Sequence, residues 1–521
     1  MKKAYDTVWR AGLWKRIWEE GVRGKLWRVV KGVHDRVESC VIVGEETTEW
    51  FELDTGVRQG CVMSPVLFSL FINGLAKEIK DTGGGVMIGG MRVSLLLYAD
   101  DIVMIAESAE HLQEMLDKVT EYSRKWRFKL NTKKGKSEVM VLGAEGSRVV
   151  WRLGGGVIGE TTSYKYLGVE IMSSMRYDRY KERILGKAMR NKALVWGMGM
   201  KEGKMPVKDG VRAWKALVRS VLEYGAEVWG GDEWEEAEKL QRQMAKRIMN
   251  CSQYTVNEVA LGELGWWRLK ARRDLLRLKY WGKIVQMSDE RLVKCVYQHG
   301  RANAEQSRWC AQTKALLEEL GLGRWWDEDA IPEGGGEAWD TLLREKIHDS
   351  EERKWRAAME ARPKLRLYRQ LKKKLEIEPY LDIKEAEGRR RITALRGGTN
   401  TLRVEIGRHR LTSAMRARIL ELDERVCLIC GKNEVEDETH FLLRCEAYAV
   451  QRRKLMELVA AESKRPLEGL LQSITDEPIK VMAILIGGDG SNAISEAVAG
   501  FCAGRLAWRD NWVRHYLDQG T

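Results

Sequence analysis

Two adjacent aspartates set between two short apolar runs constrain this chain more than any other feature. In Tyr98-Ala99-Asp100-Asp101 the acids stand between the runs 93–97 and 102–106, and a hydrophobic interior does not bury unpaired charge. The pattern predicts strand, turn and strand, with both carboxylates at the tip. Carboxylates clustered in this way suit a hard divalent cation such as Mg²⁺, which takes few protein oxygens and completes its shell with water and substrate phosphates. Taken alone, the four residues read equally as a solvated turn.

Four further signals lie around it in a fixed order. Gly56-Val57-Arg58-Gln59-Gly60-Cys61-Val62-Met63-Ser64-Pro65 precedes a stretch, 66–80, whose Leu67, Phe68, Phe71, Ile72, Leu75 and Ile79 recur at helical spacing. Ser64 is the expected N-cap and Pro65 the first helical residue, so Arg58-Gln59-Gly60 falls in the loop feeding a helix N-terminus. Free amides there attract phosphate, and Gly60 lets a ligand approach the backbone. At the start of the chain, Lys2-Lys3-Ala4-Tyr5-Asp6-Thr7-Val8-Trp9 leads into a helix with Trp9, Leu13 and Ile17 on one face. Downstream stand Lys129-Leu130-Asn131, Lys136-Ser137-Glu138-Val139-Met140-Val141-Leu142 and Tyr164-Lys165-Tyr166-Leu167-Gly168-Val169.

In this order the motifs resemble those of the reverse transcriptases of non-LTR retrotransposons, the long interspersed elements. The resemblance implies an α+β right-hand polymerase palm followed by an all-α thumb and connector. It implies that Asp100 and Asp101 bind catalytic Mg²⁺ or Mn²⁺, and that Arg58, Gln59 and Gly60 position nucleotide and template. Tyr5 would be the gate against ribonucleotides, and Lys136, or Lys134, would assist the leaving pyrophosphate. RNA template, DNA primer or target and dNTPs are the implied partners, in the nucleus or cytoplasm.

In that family an aspartate stands five residues before the aromatic matching Tyr5, and here that position falls immediately before Met1. Two-metal phosphoryl transfer needs carboxylates from two segments. Asp6 follows the gate and leads into a helix near Thr7, so it is not expected to replace the missing acid. The expectation is therefore a palm that lacks its first strand and the fingers, with Met1 an internal methionine of a longer frame, and a chain inactive alone. The alternative is a non-catalytic nucleic-acid-binding remnant of a retroelement.

The length of 521 residues allows several domains. The division expected is palm at 1–175, helical thumb at 176–290, helical connector with a basic patch at 291–410, zinc knuckle at 411–460 and helical tail at 461–521. A net charge of +13 suits a polyanion partner, although with 32% charged residues most charges solvate surfaces. Nine scattered cysteines give no disulfide framework. No signal peptide and no apolar stretch of membrane-spanning length is present.

Within the palm, a hairpin is expected from 40–43 to 50–53 around a 44–48 turn, and a helix through Leu112, Met115, Val119, Tyr122 and Trp126. Segments 213–229 and 237–249 read as paired amphipathic helices, and Ile331-Pro332-Glu333-Gly334-Gly335-Gly336 as a linker. The pairs Trp266-Trp267 and Trp325-Trp326 either stack on bases, with Arg268, Lys270, Arg272 and Arg273 holding phosphates, or fill helix interfaces. Residues 361–410 hold fifteen Lys or Arg against six Asp or Glu, clustered near Tyr368. That run is either a nucleic-acid track or a solvated face.

The second chemical constellation is Cys427-Leu428-Ile429-Cys430, then His440 and Cys445. Three thiolates and an imidazole suit tetrahedral Zn²⁺, with Gly431 allowing the turn after the second ligand. A redox dithiol would not need the histidine and third cysteine. Four protein ligands leave no water position, so the site reads as structural. The run from Glu436 to Cys445 also resembles the carboxy-terminal CCHC knuckle of the same retroelement proteins.

Overall fold

The computed structural model describes residues 1–143, 149–200, 205–408, 419–488 and 490–519. The end of the basic run and the start of the expected knuckle segment, 409–418, lie outside the described residues. By contacts the chain forms two units: Met1–Tyr180 with Met287–Ser307, and Lys181–Gln286 with Arg308–Thr521. The first mixes helices with short strands. The second is helical, with isolated β-bridges at Leu264–Ile377 and Val426–Val435 among its described residues.

The core of the first unit is the helix Ser64–Lys80, whose Phe68, Phe71, Leu75 and Ile79 are at most 1% exposed. Helix Arg10–Glu19 meets the same core through Leu13 and Ile17, and helix Ala109–Lys125 through Met115, Val119 and Tyr122. Ser108 caps the latter by accepting from the His111 amide. The Tyr122 hydroxyl donates to the Phe71 carbonyl at 3.1 Å, and Trp126 meets Phe71 edge-on. One local expectation fails. Met63, not Ser64, holds the N-cap position of the long helix, because Ser64 is itself helical with its side chain buried.

The expected 40–53 hairpin is two stacked ladders, Ile42–Val43 with Glu46–Thr47 and Glu38–Ser39 with Phe51–Glu52. The Thr48 hydroxyl takes up the Val41 amide between them. Downstream, Gly156–Glu160 pairs antiparallel with Trp151–Leu153 and parallel with Glu138–Val139. Ser163–Tyr166 and Val169–Met172 form a hairpin whose turn residues Leu167 and Gly168 both have positive φ, at 46° and 85°. This matches the twist of the flanking strands.

In the second unit, helix Leu269–Val285 packs on helix Gly335–Glu360 and on Ala226–Trp229. Trp281 sits between Trp326 and Trp339, and Gly282 leaves the space, since a Cβ there would lie 2.4 Å from the Trp339 ring. The segment 213–229 is broken, with Gly225 at φ 68° between its last two turns. The glycine run at 331–336 does not separate domains. Its flanks share one unit, and Gly334, at φ 97°, turns the chain into the 26-residue helix that follows.

The tryptophans and their basic neighbours are internal partners. Trp266 stacks on Trp214 at 5.6 Å, and the Trp267 indole faces His348 Nδ1 at 3.2 Å. Arg268 is bonded to Glu351, Lys270 to Asp274 and Arg272 to Glu223, while Arg273 donates to the carbonyls of Gly230 and Asp232. These cations are therefore not free for phosphates. Much of the 361–408 run is engaged in the same way. Arg366 bridges Glu405 and Glu438, and Arg390 and Arg391 hold Glu387. Arg396, fully buried, bonds Glu263 and Glu378 at 3.0 Å, and Glu378 also takes the Lys372 ammonium.

No helix among the described residues is long and apolar enough to cross a membrane. The Arg396 network yields a stability prediction. Arg396→Met leaves Glu263 buried without its cation, which typically costs about 3–5 kcal/mol. Urea unfolding of the variant should show that loss, whereas Arg390→Met, at an exposed pair, should fall within about 0.5 kcal/mol of the parent.

Candidate active site and candidate metal centre

The acidic tip is a two-residue hairpin. Leu95–Tyr98 pairs antiparallel with Asp101–Met104, in the register Leu95–Met104, Leu96–Val103, Leu97–Ile102 and Tyr98–Asp101. Leu95, Leu97, Ile102 and Met104 pack against the core, so strand alternation sends Tyr98 and Asp101 to the opposite, open face. Ala99 turns the chain at φ 50°, a conformation disfavoured for a residue with a Cβ and frequent at functional sites. Asp100 is half-buried and Asp101 exposed. Burial and then the charge of Asp101 raise the phenols of Tyr164 and Tyr166, which marks the Ser163–Tyr166 strand as the neighbour of that carboxylate. The Tyr164 hydroxyl in turn donates to the Lys136 carbonyl at 2.9 Å. The Lys136 loop is thus tied to the same corner, with the Lys136 side chain exposed.

Residues 1–10 run from this tip to the glycine-rich loop. The Met1 ammonium donates to the Asp100 carbonyl at 3.4 Å and the Lys2 amide to Lys129 at 3.0 Å. Further along, the Val57 amide donates to the Tyr5 carbonyl at 2.8 Å and the Gly56 amide to Val8 at 2.9 Å. Arg10 fastens the loop by donating to the carbonyls of Leu53, Thr55 and Gly56. Tyr5 stacks on Phe68, with centroids 5.1 Å apart. The Gln59 amide donates to Asp6 Oδ1 at 2.8 Å. This bond holds the Asp6 carboxylate on the Gln59 side-chain amide. Gly60 turns at φ 87° and Arg58 is exposed, its carbonyl taking the Cys61 amide.

The structure therefore brings Tyr5 and Gln59 together and the Lys136 loop to Asp101, with Met1 between the two groups at Asp100. Among the described residues no third acid converges with Asp100 and Asp101 into a metal-holding group of three or more. The tip fits one side of a divalent-cation site. Sequence reasoning missed Arg10, and missed Asp6 as the partner of Gln59, because both act across about fifty residues with no local pattern to mark them.

The Cys427, Cys430, His440 and Cys445 ligand atoms all lie within 4.8 Å of one another. Cys427 Sγ is 4.0 Å from Cys445 Sγ, and Cys430 Sγ is 3.5 Å from His440 Nε2. Tetrahedral zinc at a Zn–S length of about 2.3 Å would set such edges near about 3.8 Å, so the donor set fits the ion. A short hairpin builds the site: Val426 bridges Val435, the Cys427 amide donates to Glu434 at 2.8 Å, and Gly431 and Asn433 turn at φ 66° and 57°. Glu434 Oε2 lies 3.0 Å from His440 Nδ1, which leaves Nε2 for a metal. Hydrogen bonding from Cys445 and then His440 holds the Cys427 thiol well below the usual range, while the same pairing raises Cys445.

Residues 1–171 match the family described as reverse transcriptase (RNA-dependent DNA polymerase). These residues carry the likeness to reverse transcriptases. Two relatives extend the likeness into the second unit. The RNA-directed DNA polymerase from mobile element jockey of Drosophila funebris is 25% identical over 260 residues, covering 48% of this chain and 28% of that protein. Its Drosophila melanogaster counterpart is 26% identical over 263 residues, covering 48% and 28%. The Pol polyprotein of the type-1 retrotransposable element R2 from Nasonia vitripennis is 26% identical over 119 residues, covering 23% of this chain and 12% of that protein. The chain thus spans less than a third of the length of the jockey polymerases it matches.

Two predictions follow from this geometry. A Cβ at Gly56 would meet Asp6 O at 2.7 Å and Tyr5 O at 2.9 Å on a backbone already at φ 87°. Gly56→Ala should therefore cost about 1–3 kcal/mol and abolish hydrogen-exchange protection of the Val57 amide, while Gly60→Ala, strained at the same φ but with open space around it, keeps that protection. At the second centre, the full chain should carry about one tightly held Zn²⁺ by elemental analysis, with His440→Ala and Cys430→Ser each losing it.

Proposed function

We propose that this chain carries the polymerising part of a non-LTR retrotransposon RNA-directed DNA polymerase, adding dNTPs to a primer 3′-hydroxyl on an RNA template. The reading is supported by the acidic hairpin tip, the Met1–Asp100 and Gln59–Asp6 contacts and the Tyr164–Lys136 bond, within a segment that matches reverse transcriptases. Bound Mg²⁺ or Mn²⁺ would activate the primer hydroxyl and screen the leaving phosphate. Asp100 and Asp101 would hold the ions from one side. Tyr5, fixed by its stack on Phe68, would crowd the sugar of an incoming nucleotide and so exclude a 2′-hydroxyl. Gln59, oriented by Asp6, would present its carbonyl oxygen to the nucleotide or template, with Gly60 permitting close approach and Arg58 reaching phosphate. Lys136 is favoured over Lys134 for the pyrophosphate side, because its backbone is the one tied to Tyr164.

In this reading the segments serve as palm (1–175), helical thumb (176–290), connector (291–410), zinc knuckle (411–460) and tail (461–521). The Cys/His set would hold structural Zn²⁺. RNA, DNA and dNTPs are the proposed partners, and the location would be intracellular, in nucleus or cytoplasm. A non-catalytic remnant is the weaker reading, since Asp100, Asp101, Gln59 and Gly60 are all present in a segment that matches reverse transcriptases.

The proximity of the Met1 amino group to Asp100 supports a specific expectation for activity. An aspartate placed directly ahead of Met1 would stand beside the acidic tip and supply the second carboxylate segment. Primer extension on an RNA template with Mg²⁺ tests this. The chain carrying an aspartate and its flanking strand ahead of Met1 should extend the primer, and Asp100→Asn should abolish that extension. Extension that survives Asp100→Asn contradicts the proposal.

A further inference from the structure

The Cys/His hairpin does not stand alone in the second unit. Glu436, nine residues after Cys427, is 2% exposed and puts Oε1 4.0 Å from the Cys427 sulfur. Its carboxylate is held from two other segments. Arg509, on the terminal helix Asn492–Gln519 and 1% exposed, donates Nε to Oε1 at 2.6 Å and Nη2 to Oε2, and the Arg403 amide donates to Oε2 at 2.9 Å. Two residues on, buried Glu438 accepts from Asn400 at 3.0 Å and Arg366 at 2.5 Å. Asp510 continues the link, taking Thr401 at 2.7 Å and Arg391 at 3.3 Å.

Packing follows the same path. Phe441, next to the ligand His440, meets Phe501 of the terminal helix at 5.8 Å, and Tyr448, three residues past the ligand Cys445, meets Trp508 at 6.1 Å. Arg452 donates to the Cys445 carbonyl at 2.7 Å. The hairpin has little apolar material of its own, so its core is completed on one side by the metal ligands and on the other by the terminal helix.

These contacts have an electrostatic consequence. Three thiolates and Zn²⁺ carry a net negative charge, and Glu436 adds another within 4.0 Å of one sulfur. The Arg509 guanidinium, bonded to both oxygens of Glu436, offsets that charge at close range. Remove the arginine and a buried carboxylate faces the thiolates uncompensated, which weakens metal binding. Remove the metal and the thiolates lose the ion that draws them together, which loosens the hairpin on which the terminal helix packs.

We propose that the metal centre and the terminal helix form one thermodynamically linked unit, with Glu436 and Arg509 as positioning residues. Metal at Cys427, Cys430, His440 and Cys445 fastens the helix Asn492–Gln519, and Arg509 of that helix raises the affinity for the metal. The inference rests on the zinc assignment proposed above and assigns that centre a role as an internal rivet in place of a free hook for nucleic acid.

The test uses the full chain. Hydrogen exchange read by mass spectrometry is compared for zinc-loaded protein and protein stripped with a chelator, and zinc affinity is measured by competition with a chromophoric chelator. Stripping should lower protection across 492–515 by about tenfold or more while leaving helix Leu269–Val285 unchanged. Arg509→Gln should weaken zinc binding by about tenfold or more, Arg509→Lys less, and Arg514→Gln, at an exposed position of the same helix, not at all. Because linkage is reciprocal, zinc that binds with no change in the protection of 492–515, or an Arg509→Gln affinity equal to the parent's, overturns the inference. If Arg509→Gln fails to fold, the exchange comparison on the parent chain decides alone. A full chain that binds no zinc removes the metal assignment itself, an outcome distinct from zinc binding without coupling.

Discussion

Backbone pairing of residues 5–8 with residues 56–57 is the interaction on which the first unit's candidate active site depends. It fixes Tyr5 against Phe68 and brings Asp6 within reach of Gln59, and it runs the chain start to the acidic tip at Asp100. Gly56 makes the approach possible, because any Cβ would strike the carbonyls it must pass. Arg10 then holds the carbonyls of Leu53, Thr55 and Gly56 along that loop. Without this seam the loop at 53–60 and the hairpin at 95–104 would be two separate surface features carried by one hydrophobic core.

Electrostatics organise the second unit differently. A chain of net charge +13 invites a reading of basic surface tracks, yet many of its arginines are turned inward onto glutamates. Arg396 with Glu263 and Glu378, Arg509 with Glu436, and Arg366 with Glu405 and Glu438 are buried or half-buried and bidentate or bridging. Such pairs contribute modest net stability but are costly to break singly. They define which helices meet, and they join the Cys/His hairpin to the helices around it.

What local pattern encodes was legible in the sequence. The helix Ser64–Lys80, the helix Ala109–Lys125 and the hairpin with Asp100 and Asp101 at its tip follow from periodicity. The Cys/His set follows from ligand spacing. Interactions decided by tertiary partners were not legible. Ser64 has the composition of a cap but is drawn into the helix, and the 331–336 glycines have the composition of a linker but initiate a helix inside one unit. The partners of Arg268, Arg396 and Arg509 lie 83, 133 and 73 residues away, so no window of sequence distinguishes them from solvated charges. The tryptophan pairs read correctly as packing residues once their stacking partners are placed.

The central proposal is that Asp100 and Asp101 hold one side of a divalent-metal site that the N-terminal segment borders. Iron-mediated cleavage tests it most directly. With Fe²⁺ and ascorbate in place of Mg²⁺, and with primer–template and dNTP bound, radicals formed at the site should cut the backbone near residues 98–102 and near residues 1–6, with both sets of cuts lost in Asp100→Asn. Cleavage confined to the Cys/His hairpin, or cuts near 98–102 without cuts near 1–6, would contradict the account.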